Sequence, residues 1–207
     1  MGLIAAEVHR QFAALPGSDR IASEFAIAGL IRWLRLRLPG TILEVGSGIG
    51  TLTSVLTEYA SSHVPHEPLV VAVEEDEWCR IQTLERIGVL PWKDAEKPWL
   101  IVPWALVVID GGIARDDYYA NLCHRAIVFF EGNRREQRAT LEEMWRGGRS
   151  FCKANWRPVD RTKGFWIYVF DPTVTELLWF AAVNIREWLH DLPARWRGRP
   201  IGKRRHE

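Results

Sequence analysis

The residues best placed to do chemistry lie in the run Glu44-Val45-Gly46-Ser47-Gly48-Ile49-Gly50, which closes an apolar segment beginning at Thr41. Glycines there let the backbone turn sharply and approach a ligand without Cβ clashes. The helical stretch that follows, Leu52 to Tyr59, aims its N-terminus at the same place, where unpaired N–H groups favour a polar ligand. A dinucleotide fingerprint would need its third glycine at position 51, but Thr51 stands there and the glycine is Gly50. The loop therefore suits a ligand without a pyrophosphate, and the Glu44 carboxylate is expected to face an amino group. Glu74 ends the run Val70-Val71-Ala72-Val73-Glu74, where a carboxylate can accept both hydroxyls of a ribose. Adenosine carrying an amino-acid tail satisfies both acids. Two more acids close apolar runs: Asp110 in Val107-Val108-Ile109-Asp110-Gly111-Gly112, and Glu131 in Phe129-Phe130-Glu131-Gly132, with Asn133 next.

These groups need a scaffold that brings strand ends together. Apolar residues recur at helical spacing at Ile4, Val8, Phe12 and Leu15, and Pro16-Gly17 ends that helix. Ser18 is expected to cap a second helix carrying Ile21, Phe25, Ile31 and Leu34 until Pro39-Gly40. Buried strands are expected at 41–45, 69–73, 105–109 and 126–130, alternating with helices at 52–59, 78–87, around Tyr118 to Cys123, and at about 136–145. Near-continuous apolar strands alternating with helices signal a parallel sheet covered on both faces. The ending differs: 151–159 and 165–170 are strand-like with only a short polar loop between them, so they should pair as an antiparallel hairpin. Thr173 and Glu176 form a capping box after Pro172, so a final helix should run to about Pro193. Its residues Leu177, Ala181, Ile185, Trp188, Leu189 and Leu192 share one broad apolar face, which is expected to pair with a second subunit, the alternatives being its own domain or a membrane.

Composition narrows the class. A chain of 207 residues, 47% hydrophobic, is long enough for one sizeable core and reads as one domain. Within it, 1–40 supplies N-terminal helices, 41–171 the ligand-binding core, and 172–207 a helix and basic tail. The net charge of +1 gives no overall pull toward nucleic acid or anionic membrane, although Arg195, Arg197, Arg199, Lys203, Arg204 and Arg205 crowd the end. Three scattered cysteines argue against a disulfide framework and a thiolate zinc site. With neither a signal peptide in the first residues nor an apolar run long enough to span a bilayer, a cytoplasmic protein is expected.

The glycine loop, Glu74, Asp110 and the Phe129-Phe130-Glu131-Gly132 turn resemble successive motifs of the class I S-adenosylmethionine-dependent methyltransferases. The closing hairpin also matches that fold, and the short N-terminal helices and Ile-Asp-Gly turn resemble the small-molecule O-methyltransferases. The resemblance covers about Ser18 to Asp171. It implies a Rossmann-like, doubly wound, mainly parallel seven-stranded sheet with an antiparallel final hairpin. It implies S-adenosylmethionine held by Glu44, Gly46, Ser47, Gly48, Gly50, Glu74 and Asp110. Between Gly88 and Trp104, where the family has a third strand and an adenine contact, Pro91 and Pro98 interrupt the chain, so the edge strand is expected to be short or missing. Trp92 and Asp94 are the candidates for the adenine side.

Methyl transfer to oxygen needs a proton removed, by a base or by a metal that lowers its pKa. Asp110 and Glu131 are the candidate catalytic acids. In the cation-dependent O-methyltransferases acids at these two strand ends hold magnesium, so the resemblance implies Mg2+ on Asp110, Glu131 and Asn133, although the Glu131-Gly132-Asn133 pattern departs from that family's; capping or salt-bridge roles are the alternative. Weaker candidates are His63 and His66 in a loop, His124 as a base, and Tyr118, Tyr119, Asp116 and Asp117 at a substrate mouth. Arg134, Arg135 and Arg138 suit an anionic substrate or a solvated helix face. The expected reaction is methyl transfer to a hydroxyl of a small molecule or glycan. Competing readings are a non-catalytic binding or assembly protein on the same fold, and an RNA methyltransferase using the basic tail with Trp196. No Asn/Asp-Pro-Pro-Tyr/Phe element is present, which argues against amino-methylating nucleobase enzymes.

Overall fold

The computed structural model describes residues 2–63, 67–157 and 164–196. Six strands form one sheet: β1 (Thr41–Val45), β2 (Leu69–Val73), β3 (Trp104–Ile109), β4 (Leu122–Glu131), β5 (Phe151–Trp156) and β6 (Phe165–Phe170), in the order β2-β1-β3-β4-β6-β5. The first four are mutually parallel, and β6 runs antiparallel to both β4 and β5. The helices are α1 (Gly2–Ala13), α2 (Glu24–Arg37), α3 (Thr51–Ser61), α4 (Glu77–Ile87), α5 (Arg135–Met144) and α6 (Val174–Trp196). From β1 the chain winds first toward β2 and then back past itself to β3. The strand order thus reverses between β1 and β3, and a crevice opens at their carboxyl ends.

Alternation along each strand sorts the side chains into two cores. On one face Ile42, Leu106, Val108, Ile127, Phe129 and Ile167 pack with α1, α2 and α3. On the other, Leu43, Val107, Ile109, Val128, Phe130 and Tyr168 pack with Leu141 of α5 and with Trp99, Trp104, Tyr118 and Tyr119. Burial on both faces is why β3 and the second half of β4 read as unbroken apolar runs, and why β1 is apolar but for the enclosed Glu44.

The sheet has six strands, not the seven expected. In place of the edge strand the chain makes 3-10 turns at Asp94–Glu96 and Pro98–Leu100, and only Trp92 pairs with the edge of β2. Its N–H reaches Ala72 O at 2.8 Å, and Glu74 N reaches Trp92 O at 2.9 Å. A proline on either side removes N–H donors and fixes φ, which ends the pairing. The buried Trp99 then draws the segment off the edge, under the Arg115 guanidinium at 5.0 Å from its ring and edge-on to Tyr118 at 4.7 Å. Leu69 on the bare edge of β2 is 44% exposed.

Three local expectations shift. The second helix starts at Glu24, capped by Ser23 accepting from Ala26 N at 3.2 Å, while Ser18–Arg20 is a separate 3-10 turn. The helix expected around Tyr118 to Cys123 is a 3-10 turn at Asp117–Tyr119, and β4 already begins at Leu122. In the hairpin, β5 is described only to Trp156, and 158–163 lie outside the described residues.

The capping box at α6 forms in both directions: Thr173 N donates to Glu176 Oε2 at 2.7 Å, and Glu176 N to Thr173 Oγ1 at 3.3 Å. The helix does not stand free of the domain. Phe180 is fully buried against Trp33 and Trp179, and Asn184 Nδ2 donates to Lys153 O at 2.9 Å. The face predicted to be apolar turns outward, with Leu177 47% and Ile185 58% exposed, alongside Val174 and Leu178. The side chains of Trp188, Leu189, Leu192 and the basic tail lie outside the described residues. Among the described residues no helix is long and apolar enough to cross a membrane.

Candidate active site

The glycine loop is built by contact between two turns. Gly46 has φ of 81°, and a Cβ on it would lie 2.5 Å from Gly111 N and Cα, so the turns after β1 and β3 touch backbone to backbone. Gly46 N and Ser47 N both donate to Val73 O, at 2.9 and 3.1 Å, and Asp110 N donates to Val45 O at 3.0 Å. These bonds hold the ends of β2, β1 and β3 side by side. Gly48 differs: its φ is 55°, and a Cβ there would meet nothing within 4 Å. The loop presents bare backbone to open space, as a close-lying ligand requires.

Glu74 links the loop to the next turn. Its Oε2 accepts Gly48 N at 2.7 Å and its Oε1 accepts Asp76 N at 3.0 Å. Asp76 in turn caps α4 through Cys79 N at 2.9 Å. The carboxylate is therefore oriented before any ligand arrives. Glu44 is fully enclosed on the α3 side, with Thr53 Oγ1 donating to its Oε2 at 2.7 Å. Burial pushes its carboxyl up to about 7, the Thr53 hydrogen bond works against this, and the Glu74 charge adds to it. Glu44 Oε1, Ser47 Oγ and Thr51 Oγ1 are buried without hydrogen-bond partners, so the loop is flanked by polar atoms that suit a polar ligand. Sulfonium, ribose and amino-acid groups fit this donor set, and Glu74 and the Gly48 backbone are the residues to hold them. Trp78 and Ile49 pack against Gly17, so the turn after α1 forms a lip beside the loop.

At the reacting end, Asp110 and Glu131 do come together, but around a guanidinium. Arg134 Nη2 donates to the Asp110 backbone carbonyl and lies 3.0 Å from Asp110 Oδ1 and 3.7 Å from Glu131 Oε2. Burial raises the Asp110 carboxyl well above its usual range, the Glu131 charge raises it further, and Arg134 opposes both. Arg134 itself has φ of 31° at the N-cap of α5, a conformation that costs a side-chain-bearing residue about 1–2 kcal/mol. Gln137, one turn on, donates from Nε2 to Gly112 O at 2.9 Å and fixes α5 to the Asp110 turn.

Magnesium does not fit this arrangement. Arg134 already lies against both carboxylates. Asn133 is turned to Arg138, whose Nε and Nη2 donate to its carbonyl and side-chain oxygens at 2.9 and 3.4 Å. Among the described residues no three His, Cys, Asp or Glu side chains gather as a metal site.

Several weaker candidates lie elsewhere. His124 sits at the opposite end of β4, 80% exposed and 3.2 Å from Asp171 Oδ2. His63 contacts Tyr59 O at 2.7 Å at the far end of α3, beside a cleft between α1, α2 and α3 that is remote from the strand ends. His66 lies outside the described residues. Tyr118 and Tyr119 are core, not mouth, and Asp117 pairs with Arg115. Asp94 accepts the Tyr118 hydroxyl at 2.9 Å. Arg135 is exposed, and Arg138 stacks over the Trp166 ring at 3.9 Å. Sequence reasoning named Arg134 for an anionic substrate or a solvated helix face; its place three residues after Glu131, across the Gly132 turn, was the signal that it could reach back onto the acids.

The architecture, order reversal and crevice define the Rossmann-like class I methyltransferase fold. Solved structures similar to this chain include the O-methyltransferase TomG from Streptomyces achromogenes, involved in tomaymycin synthesis and in complex with SAM, at 19% identity and TM-score 0.56, over 83% of this chain and 89% of that one. An O-methyltransferase from Bacillus cereus in complex with SAH is similar at 14% identity and TM-score 0.60, over 81% and 90%. The tRNA (m1A58) methyltransferase TrmI from Aquifex aeolicus is similar at 14% identity and TM-score 0.56, over 80% and 76%. No protein-family model and no curated protein sequence matches the chain.

Proposed function

We propose that this protein binds S-adenosylmethionine and transfers its methyl group to a hydroxyl oxygen of a small molecule or glycan. The observation that carries the reading is the open Gly48 backbone with its N–H already held on Glu74. The resemblance to O-methyltransferases with bound SAM or SAH supports it. When bound, S-adenosylmethionine supplies a methyl group on a sulfonium, which leaves by displacement.

The chain's own part is positioning and proton transfer. Glu74 takes the ribose hydroxyls, and the glycine turns let the backbone approach the amino-acid tail. Glu131, buried with Oε1 lacking a partner, accepts the proton of the acceptor hydroxyl. Asp110 is braced by Arg134 and by the Gly46–Gly111 contact, which sets the distance between cofactor loop and acceptor.

Calorimetry with adenosylhomocysteine tests the reading. The wild type should bind in the micromolar range, about −7 to −9 kcal/mol, and Gly48→Val should lose binding at a stability cost of only about 1–2 kcal/mol, that of a side chain at positive φ with open space around it. A folded wild type that binds no adenosylhomocysteine, or a Gly48→Val that binds normally, removes its basis.

We also propose that the outward stripe of α6 pairs with a second copy of the chain. Val174, Leu178, Ala181 and Ile185 recur at alternating spacings of four and three, the repeat that lets two helices mesh.

A further inference from the structure

Resting on the methyltransferase reading, we propose that Arg134 takes the place of a divalent cation at the reacting end, so that this site orients its acids and its acceptor oxygen without a metal. A Mg2+ ion requires oxygen ligands at about 2.0–2.1 Å in near-octahedral order. Here one guanidinium nitrogen donates to the Asp110 carbonyl and stands 3.0 Å from Asp110 Oδ1 and 3.7 Å from Glu131 Oε2, so the position that two carboxylates would lend to an ion is spanned by a fixed positive charge. A divalent ion placed beside it would be repelled by a charge that already offsets one of the two carboxylates, so its net attraction to the site is weakened. The third oxygen donor that sequence offers, Asn133, is withdrawn by Arg138.

Arg134 is set by more than its own charge. It caps α5 in a left-handed conformation, and α5 is fastened to the Asp110 turn through Gln137 and Gly112 O. The backbone that carries the side chain is therefore held against the Asp110 turn. The same two groups also retain unused hydrogen-bonding capacity: Glu131 Oε1 and Arg134 Nε are both buried with no partner. A hydroxyl of the acceptor can donate to Glu131 and accept from Arg134. Those are the two services a base and a metal give in a cation-dependent enzyme: proton removal, and stabilisation of the oxygen as it becomes anionic. Arg134 performs the second as a catalytic residue in contact with the acceptor oxygen, keeping its charge throughout because a guanidinium does not deprotonate.

The test is a Mn2+ titration followed by electron paramagnetic resonance, together with turnover in excess chelator. Wild type should bind no Mn2+ at the site, and chelator should alter turnover less than about twofold. Arg134→Ala should free the two carboxylates and bind Mn2+ at least about tenfold more tightly than wild type, and adding Glu131→Gln should abolish that gain. Arg134→Lys, which keeps the charge, should still exclude Mn2+. Wild type that binds Mn2+ through Glu131, turnover that collapses in chelator, or a folded Arg134→Ala with no gain in Mn2+ affinity would each overturn the proposal. If Arg134→Ala does not fold, the wild-type titration with its Glu131→Gln control decides. Adenosylhomocysteine affinity is measured separately: a chain that binds none of it yet admits Mn2+ only when Arg134 is removed loses the methyltransferase reading, and with it the role toward the acceptor oxygen, and keeps only the exclusion of the ion by Arg134.

Discussion

Replacing Glu74 by alanine separates a ligand-binding carboxylate from a loop brace. In the structure its two oxygens accept Gly48 N at 2.7 Å and Asp76 N at 3.0 Å, and both turns lie at the edge of the crevice. Removing the side chain returns these two N–H groups to water, and since Asp76 is exposed the stability cost should stay under about 1 kcal/mol. Binding should suffer more. A charge-assisted hydrogen bond to a preoriented carboxylate is worth about 1.5–3 kcal/mol, so adenosylhomocysteine affinity should fall about 10- to 150-fold. Glu74→Gln is the sharper variant. Its amide keeps one acceptor oxygen but turns an NH2 toward one of two N–H donors, so it should lose affinity with almost no change in volume. Calorimetry gives the affinity and a thermal melt gives the stability of the same samples. An alanine variant that binds within about twofold of wild type refutes the ribose role. A loss of affinity matched in full by a loss of stability would show that Glu74 only braces the loop.

Three further outcomes follow from burial. Glu44 has its carboxyl raised to about 7 against 4.5 when unfolded, so the folded chain holds the proton more tightly, and stability should decline by about 3 kcal/mol as pH rises from about 4.5 through 7. Urea unfolding at pH 5 and pH 8 should show that slope in wild type and lose most of it in Glu44→Gln; equal slopes would place the proton elsewhere. Phe180→Ala should cost about 3–5 kcal/mol in urea because the ring is 1% exposed among core side chains, so a chain cut before Thr173 should be unstable. A cooperative, wild-type melt from the truncated chain would contradict the placement of α6. Light scattering at tens of micromolar should find a dimer that Leu178→Glu splits, and a monomeric intact protein ends the pairing proposal.

What the sequence determined by itself was local. The alternation of apolar runs with helical periods specifies a doubly wound sheet, because burial on both faces demands unbroken apolar strands. The glycine loop was legible because each of its features is a property of adjacent residues: a backbone that must turn at Gly46, a helix start at Thr51, and the acid Glu44 just before the turn. The capping box at Thr173 and Glu176 was legible for the same reason, since both of its hydrogen bonds close within four residues.

What only the tertiary structure decided was which groups meet across the fold. Pro91 and Pro98 announce trouble at the sheet edge, but the loss of the seventh strand depends on Trp99 finding a pocket beneath Arg115 and Tyr118, more than a dozen residues on. The outward stripe of α6 reads as its most apolar face, yet Phe180 is the residue the core accepts, against Trp33 from α2 and its own neighbour Trp179. Asp110 and Glu131 carry the sequence signature of a metal site, and a guanidinium three residues further along converts them into an ion-paired one. Periodicity gives each side chain a face, but the partner across that face comes from another part of the chain, and its charge decides what chemistry the pair can do.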